Sequence, residues 1–438
     1  MSGVTDKSLL AETVDGQMES PQLAAPRKWE DLAELQSVTA NLAIKFAATV
    51  PHFHTEWMVQ QTRLPHSVVE DMLWKLKNDK VVEILGKAGA FSYRYAISNL
   101  GLELSRRLMD ICGYLGPAPV SLKQYFQVVE SQFSDQQRVS VSDVKAATES
   151  LVVPESVHEV AALAALSQRS LFIFGPSGNG KSTLGRMIHN VIKGDCWIPH
   201  SIAIDEQVIR VFDPEVHDQV QQETNVQFDD RWVRIKRPLI VSGGEMTAEQ
   251  LDLVYHPDQR YYEAPPHLKA NCGTFFIDDL GRQRVRPDEL LNRWIMPLER
   301  HIDYLSLASG TKIKIPFRML LIVATNLTTS DVADPAFLRR MGYRIHLDAP
   351  PEADMRRIIR IYGRQLGFEI DEALENLILE RYRAEKRRWR ASEPRDLLLR
   401  CRDVCRLREI DQQLDAAILD VAWRGYFADC AVEQAFSF

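Results

Sequence analysis

Apolar positions change their spacing several times along the chain, and those changes predict its organisation. Residues 1–30 carry Ser, Gly, Gln and Pro with no sustained period and are expected to form a mobile tail. From 31 to 112 the pattern predicts a small separate unit. Ser67-x-x-Glu70 has the form of a capping box opening a helix whose apolar face is Val69, Met72, Leu73 and Leu76. VVEIL (81–85) and FSYRYAIS (91–98), separated by GKAGA, read as a hairpin. In its second strand Phe91, Tyr93, Tyr95 and Ile97 alternate with Ser92, Arg94 and Ala96. A helix is expected to follow over 102–111. Residues 113–150 open on GPAP and read as a connector. From 151 to 350 short β-type runs alternate with helical patterns, which predicts an α/β layered fold. Beyond the Pro350-Pro351 break, residues 351–438 read as successive helices with no β-type run.

Composition narrows the class. Among 438 residues, 45% are apolar and 26% charged, as in ordinary globular proteins. The longest apolar stretches, LLIVA (320–324) and AALAAL (161–166), are too short to cross a bilayer. No basic region followed by an apolar run opens the chain. The formal charge of −7 argues against a general nucleic-acid coat. Six scattered cysteines without a C-x-x-C pair fit neither zinc nor a disulfide framework, so a reducing cytoplasmic setting is expected. Cys401 and Cys405, one helical turn apart, read as packing residues.

The strongest chemical signal is Gly175-Pro176-Ser177-Gly178-Asn179-Gly180-Lys181-Ser182, continued by Thr183. It follows the buried-strand pattern LFIF (171–174) and precedes a helix marked by Leu184, Met187, Ile188, Val191 and Ile192. The glycines let successive backbone N–H groups turn toward an anion, and the helix N-terminus adds partial positive charge. Lys181 can then reach the terminal phosphates, and the Ser182 hydroxyl can bind Mg²⁺. A second apolar run, TFFI, ends in Asp278-Asp279. Asp278 is the expected metal carboxylate, and Asp279 the expected partner of an attacking water.

These pieces, in this order over 151–438, resemble the AAA+ ATPases, in particular the MoxR-type and related ring ATPases. The resemblance rests further on the hairpin-like HIDYLSLASGTKIKIP (301–316) and on LLIVAT ending at Asn326. It rests also on Asp334-Pro335-Ala336-Phe337-Leu338-Arg339-Arg340 and on Glu393-Pro394-Arg395-Asp396-Leu397-Leu398. It implies ATP and Mg²⁺ as ligands and a ring, a hexamer, as the working form. Asn326 would be a sensor beside the γ-phosphate. Arg340, or else Arg339, would be a finger entering the neighbouring subunit. Arg395 would be a lid arginine contacting phosphates of its own subunit. The sequence departs from the family at Asp279, where Glu is usual. It departs also in a long interval before Asp278, in which SIAIDEQVIRVFD (201–213) reads as a hairpin.

The 31–112 segment resembles a winged helix-turn-helix. Residues 63–110 carry eight basic and six acidic side chains, and Glu70 and Asp71 sit where a recognition helix meets bases, so a protein contact is expected ahead of DNA. RYRAEKRRWR (381–390) is a local basic cluster that reads as a solvated helix face. The sequence therefore predicts an ATP hydrolase that remodels or regulates a partner protein. A DNA-binding regulator and a slowly hydrolysing nucleotide switch stand as alternatives.

Overall fold

The computed structural model describes residues 23–89, 92–133, 138–221, 228–284, 286–327 and 335–427. A short 3-10 segment, Trp29–Leu35, leads into α1 (Gln36–Ala47), β1 (Phe53–His54), α2 (Thr55–Thr62) and α3 (His66–Asn78). These are followed by β2 (Val82–Lys87), β3 (Tyr93–Ile97) and α4 (Asn99–Ile111). The strands form an antiparallel sheet in the order β1-β3-β2. Tyr95 is fully buried while Arg94 is exposed, as the period-2 pattern requires. α3 starts one residue before Ser67, whose hydroxyl donates to the Arg27 carbonyl instead of capping the helix. Part of the expected tail is packed as well. Leu23 and Trp29 are buried in two different cores, and residues 1–22 lie outside the described residues.

The connector contributes β4 (Val120–Ser121), α5 (Leu122–Gln132) and α6 (Val141–Ala147), before α7 (Glu155–Ser167), β5 (Leu171–Phe174) and α8 (Lys181–His189). The interval before the acidic strand holds β6 (Asp195–Pro199), β7 (Ser201–Ile204), β8 (Gln207–Arg210), β9 (Trp232–Lys236) and β10 (Leu239–Ser242). It continues with β11 (Val254–His256), β12 (Tyr261–Glu263) and α9 (Pro266–Lys269). Then come β13 (Thr274–Leu280), α10 (Pro287–Arg300), β14 (Ile302–Ser306), β15 (Lys312–Pro316), β16 (Leu320–Thr325), α11 (Pro335–Arg340) and β17 (Tyr343–His346). Four helices close the described chain: α12 (Glu352–Leu366), α13 (Glu372–Ala384), α14 (Glu393–Leu407) and α15 (Ala416–Phe427).

The central sheet has five parallel strands in the order β10-β13-β16-β5-β17. Its strands alternate between two cores. Leu171, Ile173, Phe276, Leu320 and Ile322 face α7 and α8, whereas Phe172, Phe275, Ile277, Leu321 and Val323 face α10. Both faces are covered, so the strands are continuous apolar runs without polar alternation. α8 lies close on the sheet because a Cβ at Gly185 would stand 2.8 Å from the Phe276 ring.

The interval between α8 and β13 joins β4 of the connector in a second sheet, β11-β12-β8-β7-β4, and packs against the N-terminal unit. Ala203, Val208 and Tyr261 share a core with Leu108, Cys112 and Tyr114, and Arg260 pairs with Asp110. β14 and β15 form the expected hairpin, whose Leu305, Leu307, Ile313 and Ile315 pack with Tyr125 of α5 and Tyr262 of β12. Trp294 is fully buried in α10, whereas Tyr304 of β14 is 45% exposed. The described cysteines are buried and unpaired, Cys401 and Cys405 within the core of the last four helices.

Candidate nucleotide site

Strand order dictates the site. β16 lies between β5, which feeds the glycine loop, and β13, which ends in the two aspartates. Register aligns Thr325 with Phe174 on one side and, near the strand ends, with Leu280 on the other. Asn326, the next residue, therefore falls between Lys181 and the acids.

The Lys181 ammonium donates to the carbonyls of Gly175 and Pro176, both at 2.8 Å, and to Asn326 Oδ1 at 2.6 Å. Asn326 Nδ2 donates to Asp279 Oδ1 at 3.1 Å, and the lysine donor on its other arm fixes the amide's orientation. Ser182 Oγ donates to Asp278 Oδ1 at 2.7 Å. Five predicted side chains, Lys181, Ser182, Asp278, Asp279 and Asn326, thus meet at the C-terminal ends of three neighbouring strands. Lys181 is 5% exposed, and among the described residues no carboxylate lies within 4.0 Å of it. Burial lowers its pKa below the ordinary lysine range, while the charges of Asp279 and Asp278 pull it back up. A buried cation bonded to three neutral oxygens is a fit receptor for an anion.

Two consecutive strand residues normally point to opposite faces, yet Asp278 and Asp279 serve one site. The register with β16 shifts between Ile277 and Leu280, so the strand carries one extra residue there. Asp279 adopts φ +52, a left-handed conformation that Asp tolerates better than most residues. Its backbone N–H bonds Asp278 Oδ1 at 3.1 Å. Gln283, which the sequence pattern did not mark, closes the turn. Its Nε2 donates to the carbonyls of Asp278 and Asp279 at 3.0 and 3.3 Å, and its Oε1 accepts from the Gly281 N–H.

The glycine loop has φ +136 at Gly175, where a Cβ would stand 2.1 Å from the Leu347 carbonyl oxygen. Pro176 and Ser177 are exposed at its crown, and Gly180 (φ +85) occupies the N-cap of α8. Thr183 is exposed on α8, away from these hydrogen bonds. The segment before α14 lies on the loop: the Ser392 N–H donates to the Gly178 carbonyl at 2.9 Å and the Ala391 N–H to Asn179 Oδ1 at 3.2 Å. Beside this contact Ser150, Leu151, Val152, Ile358, Ile361, Tyr362 and Ala391 line a mainly apolar slot. None of these slot residues carried a sequence signal, because they come from three separated stretches.

The predicted arginines lie outside the cluster. Arg395 pairs with the neighbouring Asp396 at 2.9 Å, while Arg390, just before α14, is the arginine whose stem crosses Gly178. On α11, Arg340 Nε lies 3.2 Å from Glu299 and is partly buried, whereas Arg339 is exposed. Asp334 lies outside the described residues. Among the described residues no helix is long and apolar enough to cross a membrane.

A family model described as a domain of unknown function, DUF8689, matches residues 351–425. No curated protein matches the chain. Among solved structures, the Thermotoga maritima RuvB Holliday junction branch migration motor aligns at 15% identity and a TM-score of 0.36, over 66% of this chain and 70% of that one. NtrX from Brucella abortus in complex with ADP aligns at 14% identity and a TM-score of 0.39, over 73% of this chain and 57% of that one. NtrX in complex with ATP aligns at 13% identity and a TM-score of 0.39, over 76% and 67%. By its own strand order, glycine loop and acidic strand end, the chain has an α/β fold of the P-loop NTPase type, followed by a bundle of helices.

Proposed function

We propose that the chain is a Mg²⁺-dependent ATP hydrolase of AAA+ type that works in an oligomeric ring, a hexamer, and remodels or regulates a partner protein. The observation that carries this reading is the continuous hydrogen-bonded chain Lys181–Asn326–Asp279 beside Ser182–Asp278 at the mouth of the glycine loop.

In this reading the backbone of Gly175–Ser182 and the Lys181 ammonium hold the β- and γ-phosphates. Lys181 exchanges its bonds to the Gly175 and Pro176 carbonyls for phosphate oxygens. Ser182 Oγ and Asp278 would hold Mg²⁺, which neutralises charge building on the phosphoryl oxygens. A site with so few protein oxygens suits this ion, which keeps most of its water and takes phosphate ligands. Asp279, oriented by Asn326, accepts a proton from the attacking water at its carboxylate. The apolar slot at Leu151, Ile358 and Tyr362, whose free space here is only about 10 Å³, would have to widen to receive the base. Arg339, exposed on α11, is better placed than Arg340 to complete a neighbour's site. Arg395, exposed on α14, would be the phosphate contact of a more closed lid.

The N-terminal unit is read as a winged-helix-like module that docks protein. The DNA alternative is weakened by the chain's own cover over α3, where Arg27 takes the Ser67 hydroxyl and Trp29 lies under Lys75. Calorimetry with Mg·ATP and phosphate-release assays test the central reading. Lys181→Ala should cost at least about tenfold in affinity or turnover; near-normal activity refutes the site. Mixing Arg339→Ala with Asp278→Ala chains should restore turnover if sites are shared between subunits. Inactivity at every mixing ratio, with mixed rings shown by mass, refutes sharing.

A further inference from the structure

The glycine loop and the lid meet at a side chain that has two arms and uses one. Asn179 is 5% exposed. Its Oδ1 accepts the Ala391 N–H, 212 residues along the chain. That donor settles the orientation of the amide, since Nδ2 in the same place would face another N–H. Nδ2 is consequently a buried donor, and among the described residues it has no acceptor. Buried amide donors in folded proteins are nearly always satisfied, so an orphan at a ligand-binding loop marks a place where an acceptor arrives from outside.

The surroundings say what that acceptor is. Gly178 and Gly180, on either side, belong to the phosphate cradle. Ala391 also lines the apolar slot with Leu151 and Tyr362. A nucleotide lying from slot to cradle passes Asn179 with sugar and phosphate oxygens, which are abundant acceptors. The lid contact is otherwise made by backbone, through Ser392 N–H to Gly178 oxygen, and by the Arg390 stem over Gly178. Among the described residues, Asn179 is the one side chain of the loop that bonds the lid segment directly.

We propose that Asn179 is the positioning residue that ties nucleotide occupancy to lid closure: its amide nitrogen donates to a sugar or phosphate oxygen while its amide oxygen holds the lid at Ala391. This rests on the reading of the loop as an ATP site. A nucleotide bonded to Nδ2 stops the side chain from rotating, and a fixed Oδ1 holds the Ala391 amide for longer.

The test uses the full chain, hydrogen exchange and calorimetry. In the unsubstituted protein a non-hydrolysable ATP analogue with Mg²⁺ should slow exchange of the Ala391 and Ser392 amides by about tenfold or more, a shift of about 1.4 kcal/mol in the opening equilibrium. Asn179→Asp keeps the acceptor for Ala391 but turns the donor into an anionic oxygen. It should retain the exchange rates of the nucleotide-free protein yet bind the analogue at least about tenfold more weakly. Asn179→Ala should lose protection at Ala391 even without nucleotide. Binding by Asn179→Asp at unaltered affinity, or unchanged exchange at Ala391 and Ser392 when the unsubstituted protein is saturated, overturns the proposal alone. Failure of the unsubstituted protein to bind Mg·ATP overturns it together with the ATP-site reading. Because the exchange measurement needs no variant, it decides the matter even if a substitution unfolds the chain.

Discussion

The substitution Asp279→Asn separates chemistry from binding more cleanly than any other change at the site. The backbone there has φ +52, which Asn accepts at least as readily as Asp, so the fold is not strained as it would be by a β-branched residue. The side chains are nearly isosteric, and an Asn oxygen can still accept from Asn326 Nδ2, now 3.1 Å away. What is lost is a negative charge and a proton acceptor. Placed general bases contribute about 10²–10⁴ in rate, so the barrier should rise by roughly 3–5 kcal/mol. Binding should move the other way or not at all. The Asp279 charge stands beside the cradle of a polyanion, and removing it relieves repulsion, although it also removes one of the two carboxylates that support the Lys181 charge. The expected result is a turnover loss of at least about a hundredfold at saturating Mg·ATP, with affinity within about threefold and an unchanged thermal midpoint. Phosphate release, calorimetry and thermal unfolding measure the three quantities. A folded Asp279→Asn protein that turns over within about threefold of the original would refute the assignment and leave water positioning to Asn326 alone.

Four further outcomes follow from the same geometry. Ser182→Ala removes the hydroxyl bonded to Asp278, and a magnesium titration of ATPase activity should show half-saturation shifted upward by about tenfold. Gln283→Ala opens the turn that holds both acids, so kcat should fall by about tenfold while KM stays within about twofold; an equal change in both would point to general loosening. Tyr362→Ala should weaken ATP by about five- to thirtyfold, as loss of roughly 1–2 kcal/mol of apolar contact predicts. Inhibition by inorganic tripolyphosphate should be unaffected, and a parallel loss there would refute a base slot. Gly175→Ala places a methyl group 2.1 Å from the Leu347 carbonyl and should destabilise the chain by about 3 kcal/mol or more in chemical denaturation.

Local patterns were legible and distant pairings were not. The glycine loop, Lys181 and Ser182 occupy one contiguous stretch whose strand–loop–helix context is itself local, so spacing alone identified them. Asp278 was legible because it ends an apolar run after a glycine loop, whereas Asn326 was marked only through the family resemblance of its strand. The alternation of Phe275, Phe276 and Ile277 between two cores was implicit in an unbroken apolar strand, which only a doubly covered sheet can accommodate. The register shift that turns Asp279 toward the site depends on pairing with β16 and has no signature in TFFIDDL. Ser67 failed as a cap because the Arg27 carbonyl, 40 residues away, took its hydroxyl, an interaction invisible to a four-residue motif. The packing of Leu23 and Trp29 was hidden for a similar reason. Single apolar residues in polar text show no period, yet each here fills a gap left by elements far along the chain. Arg395 matched its motif by position, but the side chain turns to Asp396, while Arg390, five residues earlier, meets the loop.

The long interval before the acidic strand, whose role the sequence left open, also has a consequence for how the N-terminal unit can act. The two are not joined by a bare linker. The Lys45 ammonium, buried in α1, donates to the carbonyls of Cys112 and Tyr114, the Ala118 N–H reaches Thr62, and Tyr114 packs edge-on against Tyr261. Gly113 passes so close to Gln259 that a Cβ would lie 2.4 Å from its carbonyl oxygen. β12, which carries Tyr261, also carries Tyr262, whose hydroxyl accepts the Ala308 N–H at the tip of the β14–β15 hairpin. That hairpin leads directly into β16 and Asn326. Under the proposed reading, a partner held by the N-terminal unit would be connected to the strand that ends at Asn326 through packed side chains and hydrogen bonds, not through a flexible tether. Such a path transmits a shift only while its contacts stay packed. β7 and β8 bridge the same two cores beside β12: Ala203 and Val208 join Tyr261 in the core of the N-terminal unit, while Ile202 and Ile209 join Tyr262 in the core that holds the hairpin.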